Sequence, residues 1–195
     1  MHKAILFALA AVGLAGCVTA TNSLTANDVA SFRMTGASVR FAPDVKIWWG
    51  DGERAFAASK GQPATESETL AKTPEGQAYL RNTIATKLKA AVERQLAGGL
   101  TGTRPVRIEV TVKDVSIASA IQRVVVGGHH TMTADVNLVD AKTGAVIAPY
   151  AAQSAMSLAG QGIGGALIDA ALFDEPIDRV INNYAEQYAG WLVRK

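Results

Sequence analysis

One cysteine in 195 residues cannot make a disulfide within the chain, and it leaves no set of thiolates for a zinc or iron–sulfur site. Histidine is nearly as scarce at three residues, and the two that lie beyond the first seventeen positions, His129 and His130, are adjacent. Neighbours in an extended strand point to opposite faces, so this pair is poorly placed to hold one ion. The nearest acids, Asp114 and Asp135, have no recognised ligand spacing either, and no metal is expected. Charge is close to balanced, with 19 Lys and Arg against 17 Asp and Glu, so no basic field for nucleic acid is implied. The apolar run from Ala4 to Val12 falls short of the about 20 residues that cross about 30 Å of hydrocarbon. No serine sits in a nucleophile elbow, and Asp174-Glu175 reads as helix-start charge rather than an acid and base pair. The chain is therefore expected not to be an enzyme.

A nucleotide site is the one catalogue motif that the glycines suggest. Gly160, Gly162 and Gly165 have dinucleotide-loop spacing, but that loop needs a parallel strand before it and a second one after the following helix. Here the chain reads as helix to its end, so no nucleotide or other cofactor is expected, and the segment reads as a connection.

What is present begins with an address. The opening "MHKAILFALAAVGLAGC" has a basic start, an apolar middle and small residues before Cys17, the layout of a secretory signal. Leu14-Ala15-Gly16-Cys17 resembles a bacterial lipobox, which implies cleavage between Gly16 and Cys17 and acylation of Cys17. Several acyl chains, at about 0.8 kcal/mol per buried methylene, hold a protein on a bilayer where one would not. Val18 stands where Asp would favour inner-membrane retention in enteric lipoproteins, so the resemblance points to the outer membrane, with the protein facing the periplasm. Residues 1–16 are accordingly read as signal peptide, 17–34 as lipidated terminus and tether, and 35–195 as a single α/β periplasmic domain. The polar, small-residue stretch from Thr19 to Ser31 suits a tether.

The rest of the chain alternates between two periodicities. Thr35 to Trp49 is rich in β-branched and aromatic residues but broken by Pro43, as in a bent or edge strand. A loop with a short helical piece is expected from Gly50 to Thr69. Thr73-Pro74 then caps a helix whose Leu80, Ile84, Leu88, Val92 and Leu96 recur every four residues up to Gly98-Gly99. Lys87, Lys89, Glu93 and Arg94 fall mainly off that stripe and read as a solvated face. Val106, Ile108, Val110 and Val112 alternate with polar residues, and parity flips at Val115 and Ile117, which predicts a bulge near Lys113-Asp114. Met132, Ala134, Val136 and Leu138 repeat the alternation, and Asp140 to Gly144 supplies a hairpin into a strand running past Pro149. Ile177, Val180, Ile181, Tyr184, Tyr188, Trp191 and Leu192 return to helical spacing after Pro176, with Asp174 as a cap. Burying two helical stripes on one alternating sheet predicts a two-layer α/β sandwich, an antiparallel meander with two amphipathic helices in the order β-α-β-β-β-α.

One pair of residues stands out as a contact candidate. Trp48 and Trp49 are neighbours on a strand, so one enters the core and the other faces outward, where an indole can meet a partner, headgroups or glycan.

"VKIWWGDGERA", "VVVGGHHTMTADVNLVDAKTGAVIA" and the helical end resemble an uncharacterised alphaproteobacterial lipoprotein family, over Val39 to Lys195. More loosely, the helix, strand and Asp-x-x-Thr-Gly hairpin resemble small outer-membrane lipoproteins that accompany envelope assembly or export. The resemblance implies a non-enzymatic, membrane-anchored accessory in envelope assembly, export or maintenance, with an envelope protein as partner. The alternative is a periplasmic lipid- or glycan-binding module with a groove between sheet and helices; a hydrolase would require His129 or His130 beside a serine and an acid.

Overall fold

The computed structural model describes residues 20–118, 129–158 and 175–193. In chain order these form α1 (Ala26–Ser31), β1 (Phe32–Trp49), α2 (Gly50–Ser59), a 3-10 turn (Ala64–Glu66), α3 (Ser67–Ala71), α4 (Pro74–Leu96), β2 (Arg104–Ile117), β3 (His129–Asp140), β4 (Val146–Leu158) and α5 (Pro176–Val193). The strands make one open sheet in the order β1-β2-β3-β4. The predicted α+β sandwich and its main order are therefore observed, with short helices added.

The sheet is mixed rather than a pure meander. β2, β3 and β4 pair antiparallel, but β1 pairs parallel to β2, with Phe32 opposite Arg104 and Trp49 opposite Ile117. α4 carries the chain back along the sheet, so β2 starts at the end where β1 started; a helical crossover is what parallel neighbours require. The predicted bulge is present as a register shift between Val112 and Asp114.

α4 begins as its sequence predicts: the Thr73 hydroxyl accepts the Gly76 N–H at 3.1 Å, and Pro74 fills a first-turn position that has no intrahelical partner to lose. Leu80, Ile84, Leu88, Val92 and Leu96 are fully buried and share one core at the helix–sheet interface with Val106, Ile108, Val110 and Val112 of β2 and Met132, Ala134, Val136 and Leu138 of β3. Each such aliphatic side chain contributes about 1.5–3 kcal/mol relative to exposure, which makes this interface the main source of stability. α5 adds Ile177, Val180, Ile181, Tyr184, Tyr188 and Leu192 to the same core. The Tyr184 hydroxyl donates to the Ala134 carbonyl at 2.7 Å, fixing α5 on β3, and burial pushes its ionisation far above the usual tyrosine range.

The charges expected to face solvent on α4 are in fact joints. Lys87 reaches Asp178 at 2.8 Å and Arg94 reaches Asn182 at 2.7 Å, while Gly99 lies against Val193, so α4 and α5 run parallel and are tied along their length. Glu93 accepts the Ala37 N–H at 2.9 Å and is held by Lys89, which occupies a donor of the edge strand β1. With register breaks between Met34 and Ala37 and between Phe41 and Lys46, around Pro43, the outer edge of β1 is blunted against further strand pairing.

The segment expected as a tether is also docked. Ala20 and Leu24 pack against the core, Asn22 is buried, and α1 is closed by a capping box in which Thr25 and Asp28 exchange hydrogen bonds. β1 starts at Phe32, inside the expected tether. Polar composition alone reads as linker, but here the polar groups are spent on closing helix ends.

Candidate functional site

The alternation along β1 places Trp48 and Trp49 on opposite faces. Trp49 is buried, whereas Trp48 is 47% exposed, the more exposed of the two by far. Trp49 also supplies the residue preceding α2, and its ring lies on the first turn of that helix. A Cβ on Gly52 would meet that ring at 2.4 Å, so the residue there must be glycine for the indole to pack flat.

The stretch from 50 to 69, expected as a loop with a short helical piece, is mostly helix. Asp51 and Glu53 lie in the first turn of α2, where negative charge meets the positive end of the helix dipole, and Phe56 and Ala57 bury its inner side. Phe56 stacks at a tilt on Tyr79 of α4, with centroids 5.2 Å apart. α3 has five residues, too few to show a period, and packs through Ala71. Together α2 and α3 wall one side of a cleft beside Trp48.

Ile47, Trp48, Glu53, Glu68, Ala71, Lys72 and Gln77 line this cleft, whose volume is about 220 Å³. Glu68 and Lys72 pair at 2.7 Å; the contact lowers the carboxyl pKa and raises that of the ammonium. Glu53 is different. Burial raises its pKa, the Trp49 main chain offsets part of that, and the Glu68 charge adds to it. The Gln77 amide donates to the Ala71 carbonyl at 2.8 Å, which fixes its orientation at the cleft floor. The cleft thus offers an indole face, two carboxylates in unlike environments and one ammonium. It is smaller than the about 300–1,000 Å³ of an enclosing ligand pocket, so its chemistry suits a side chain or sugar ring presented from outside.

The histidines are split as their adjacency predicts. His130 is fully buried and its Nδ1 accepts the Ala118 N–H at 3.2 Å, whereas His129 is exposed. Among the described residues no three His, Cys, Asp or Glu side chains gather as an ion site. No described helix is long and apolar enough to cross a membrane. Gly16, Cys17, the glycines 160, 162 and 165, and Asp174 lie outside the described residues. Sequence reasoning found Trp48 but missed Glu53, Glu68 and Lys72. The acids opening α2 were a usable signal for Glu53; nothing local pointed to α3.

A family model described as a family of unknown function, DUF6778, matches residues 72–193. The chain belongs to DUF6778. The match takes in α4, the three antiparallel strands and α5, and begins at Lys72, so the Trp48-Trp49 segment lies before it. No curated protein matches the chain. Among solved structures, a candidate lipoprotein from Caulobacter crescentus CB15 is 16% identical, with 57% of this chain and 81% of that chain covered and a TM-score of 0.37. A DUF330 protein from Xanthomonas campestris is 11% identical, with 85% and 86% covered and a TM-score of 0.42. A PelC dodecamer from Paraburkholderia phytofirmans is 9% identical, with 85% and 90% covered and a TM-score of 0.39.

Proposed function

We propose that this DUF6778 member is a lipid-anchored envelope protein that holds a protein partner through the Trp48 cleft and performs no catalysis. The anchor reading rests on the Leu14-Ala15-Gly16-Cys17 lipobox, and Val18 favours the periplasmic side of the outer membrane, in an alphaproteobacterial envelope as the resemblance implies. The role is that of an accessory in envelope assembly, export or maintenance. The observation that carries the contact surface is the half-exposed Trp48 beside Glu53 and the Glu68–Lys72 ion pair. Large aromatics near fixed charges are the residues that dominate binding energy at protein interfaces.

A second reading, glycan binding, is favoured by the same geometry, because an indole face flanked by carboxylates and an amide also fits a sugar ring. A lipid groove between sheet and helices has less support, since the described side chains of that interface pack together as core.

The test is a photo-crosslinking residue placed at Trp48 in the intact lipoprotein, followed by mass spectrometry of envelope extracts, with the same probe at Lys142 as reference. A protein adduct specific to position 48 and lost in Glu53→Ala supports the partner reading. Retention on peptidoglycan or another envelope glycan without a protein adduct moves the reading to glycan, and neither result from position 48 would remove the cleft from consideration.

A further inference from the structure

The distance between the lipidation site and the folded body is set by very few bonds. Ala20 is already docked: its carbonyl accepts the Trp191 indole N–H at 2.7 Å. Two residues later, the buried Asn22 amide donates to the Trp191 carbonyl at 2.6 Å, at the last turn of α5. Cys17 precedes Ala20 by three residues, which fully extended reach only about 11 Å. A chain this short cannot let the domain swing free of its anchor.

The topology shows what lies at that end. The Gly102 N–H bonds to Phe32 at the start of β1, the Ala141 N–H bonds to Pro105 at the start of β2, and Gly99 after α4 touches Val193 of α5. The turns after α4 and between β3 and β4 therefore gather around the docked segment. Exposed there are Arg33, Thr101, Arg104 and Lys142. Two acids of the same end are engaged internally: Asp28 accepts from Thr25, and Asp140 accepts from Arg104 and from the Lys142 and Thr143 N–H groups, while exposed Glu186 of α5 lies beside Gly98 and Gly99. Trp48 is at the other end of the sheet. It is paired near Ile117, and β2 from Arg104 to Ile117 spans roughly 45 Å at about 3.3 Å per residue.

We infer that the end carrying Arg33, Thr101, Arg104 and Lys142 rests on the phospholipid headgroups of the anchoring leaflet, with the Trp48 cleft pointing away from the membrane. This rests on the acylation of Cys17 proposed above and adds an orientation to it. The occupant of the surface is the headgroup layer, whose phosphates match the exposed Arg33 guanidinium and Lys142 ammonium, Arg104 being paired with Asp140.

Acylation of the only cysteine makes the test clean, because a second cysteine introduced by mutation is then the single labelling site. Full-length lipoprotein carrying Thr101→Cys, Lys142→Cys or Gln62→Cys would be labelled with a fluorophore and reconstituted in phosphatidylethanolamine and phosphatidylglycerol vesicles containing a headgroup nitroxide lipid. Labels at 101 and 142 should be quenched several-fold more than the label at 62. A flexible Gly-Ser insertion between Thr19 and Ala20 should remove the difference. Equal quenching at the three sites without the insertion, on protein whose amino-terminal peptide carries lipid by mass spectrometry, overturns the orientation and leaves the anchor standing. An amino-terminal peptide without lipid overturns both.

Discussion

Asn22 and Trp191 hold each other across 169 positions of sequence: the Asn22 amide donates to the Trp191 carbonyl at 2.6 Å, and the Trp191 indole donates to Ala20 at 2.7 Å. The last carbonyls of a helix have no partner within it, and a side chain from the start of the chain supplies one. Asn22 also accepts the Leu24 N–H at 2.9 Å, which turns the chain toward α1. The clasp decides that residues 20–24 belong to the domain.

Asn22→Ala removes donors and leaves α5 carbonyls unsatisfied in a buried setting, so stability should fall by about 1–3 kcal/mol. Equilibrium urea denaturation measures it. An unchanged midpoint would mean that the segment is not docked in solution.

Asp140 gives the domain an acid limit. Hydrogen bonds from Thr143, Arg104 and Lys142 lower its carboxyl pKa to about 2, below the about 3.9 of an unfolded chain. A depressed pKa means stability that is complete above the unfolded value and lost as pH falls from about 4 toward 2. Asp140→Asn should lower the melting temperature at neutral pH and flatten its decline in that window, as followed by circular dichroism. The same slope in both proteins would remove Asp140 as its source.

Glu53 works in the opposite sense. Burial raises its pKa, so folding favours the protonated form, and the stability this adds at low pH is lost as pH rises through the unfolded value toward the folded one. Glu53→Gln should therefore be more stable than the parent at neutral pH and indistinguishable from it in acid. If that variant also loses the Trp48 adduct, the charge serves binding at the expense of stability. Thermal melts at the two pH values decide the first point, and the crosslink decides the second.

Two glycines separate packing from propensity. A Cβ on Gly102 would lie 2.3 Å from the Ser31 carbonyl group, so Gly102→Ala should cost about 1–3 kcal/mol by forcing the turn off β1. At Gly190, within α5, a Cβ meets nothing within 4 Å, and Gly190→Ala should stabilise by about 0.5–1 kcal/mol through helix propensity. Denaturation midpoints that move in the same direction for both variants would contradict this assignment.

Sequence alone determined the elements whose causes are local. Leu80, Ile84, Leu88, Val92 and Leu96 specify a helix, Val106 to Val112 a strand, Thr73-Pro74 a start and Asp140 to Gly144 a turn, because each depends on a spacing of 3.6 or 2 or on one backbone preference. It also determined that Trp48 and Trp49 part company, since adjacent strand residues cannot share a face. Only the tertiary structure decided the rest: that β1 lies parallel to β2, that Glu93 guards the strand edge, that Lys87 and Arg94 join two helices, and that α2 and α3 build a cleft beside Trp48. It also decided that the polar start of the chain is docked rather than a tether. These depend on partners tens of residues away, and the free energy of such contacts has no signature in the local pattern of either partner.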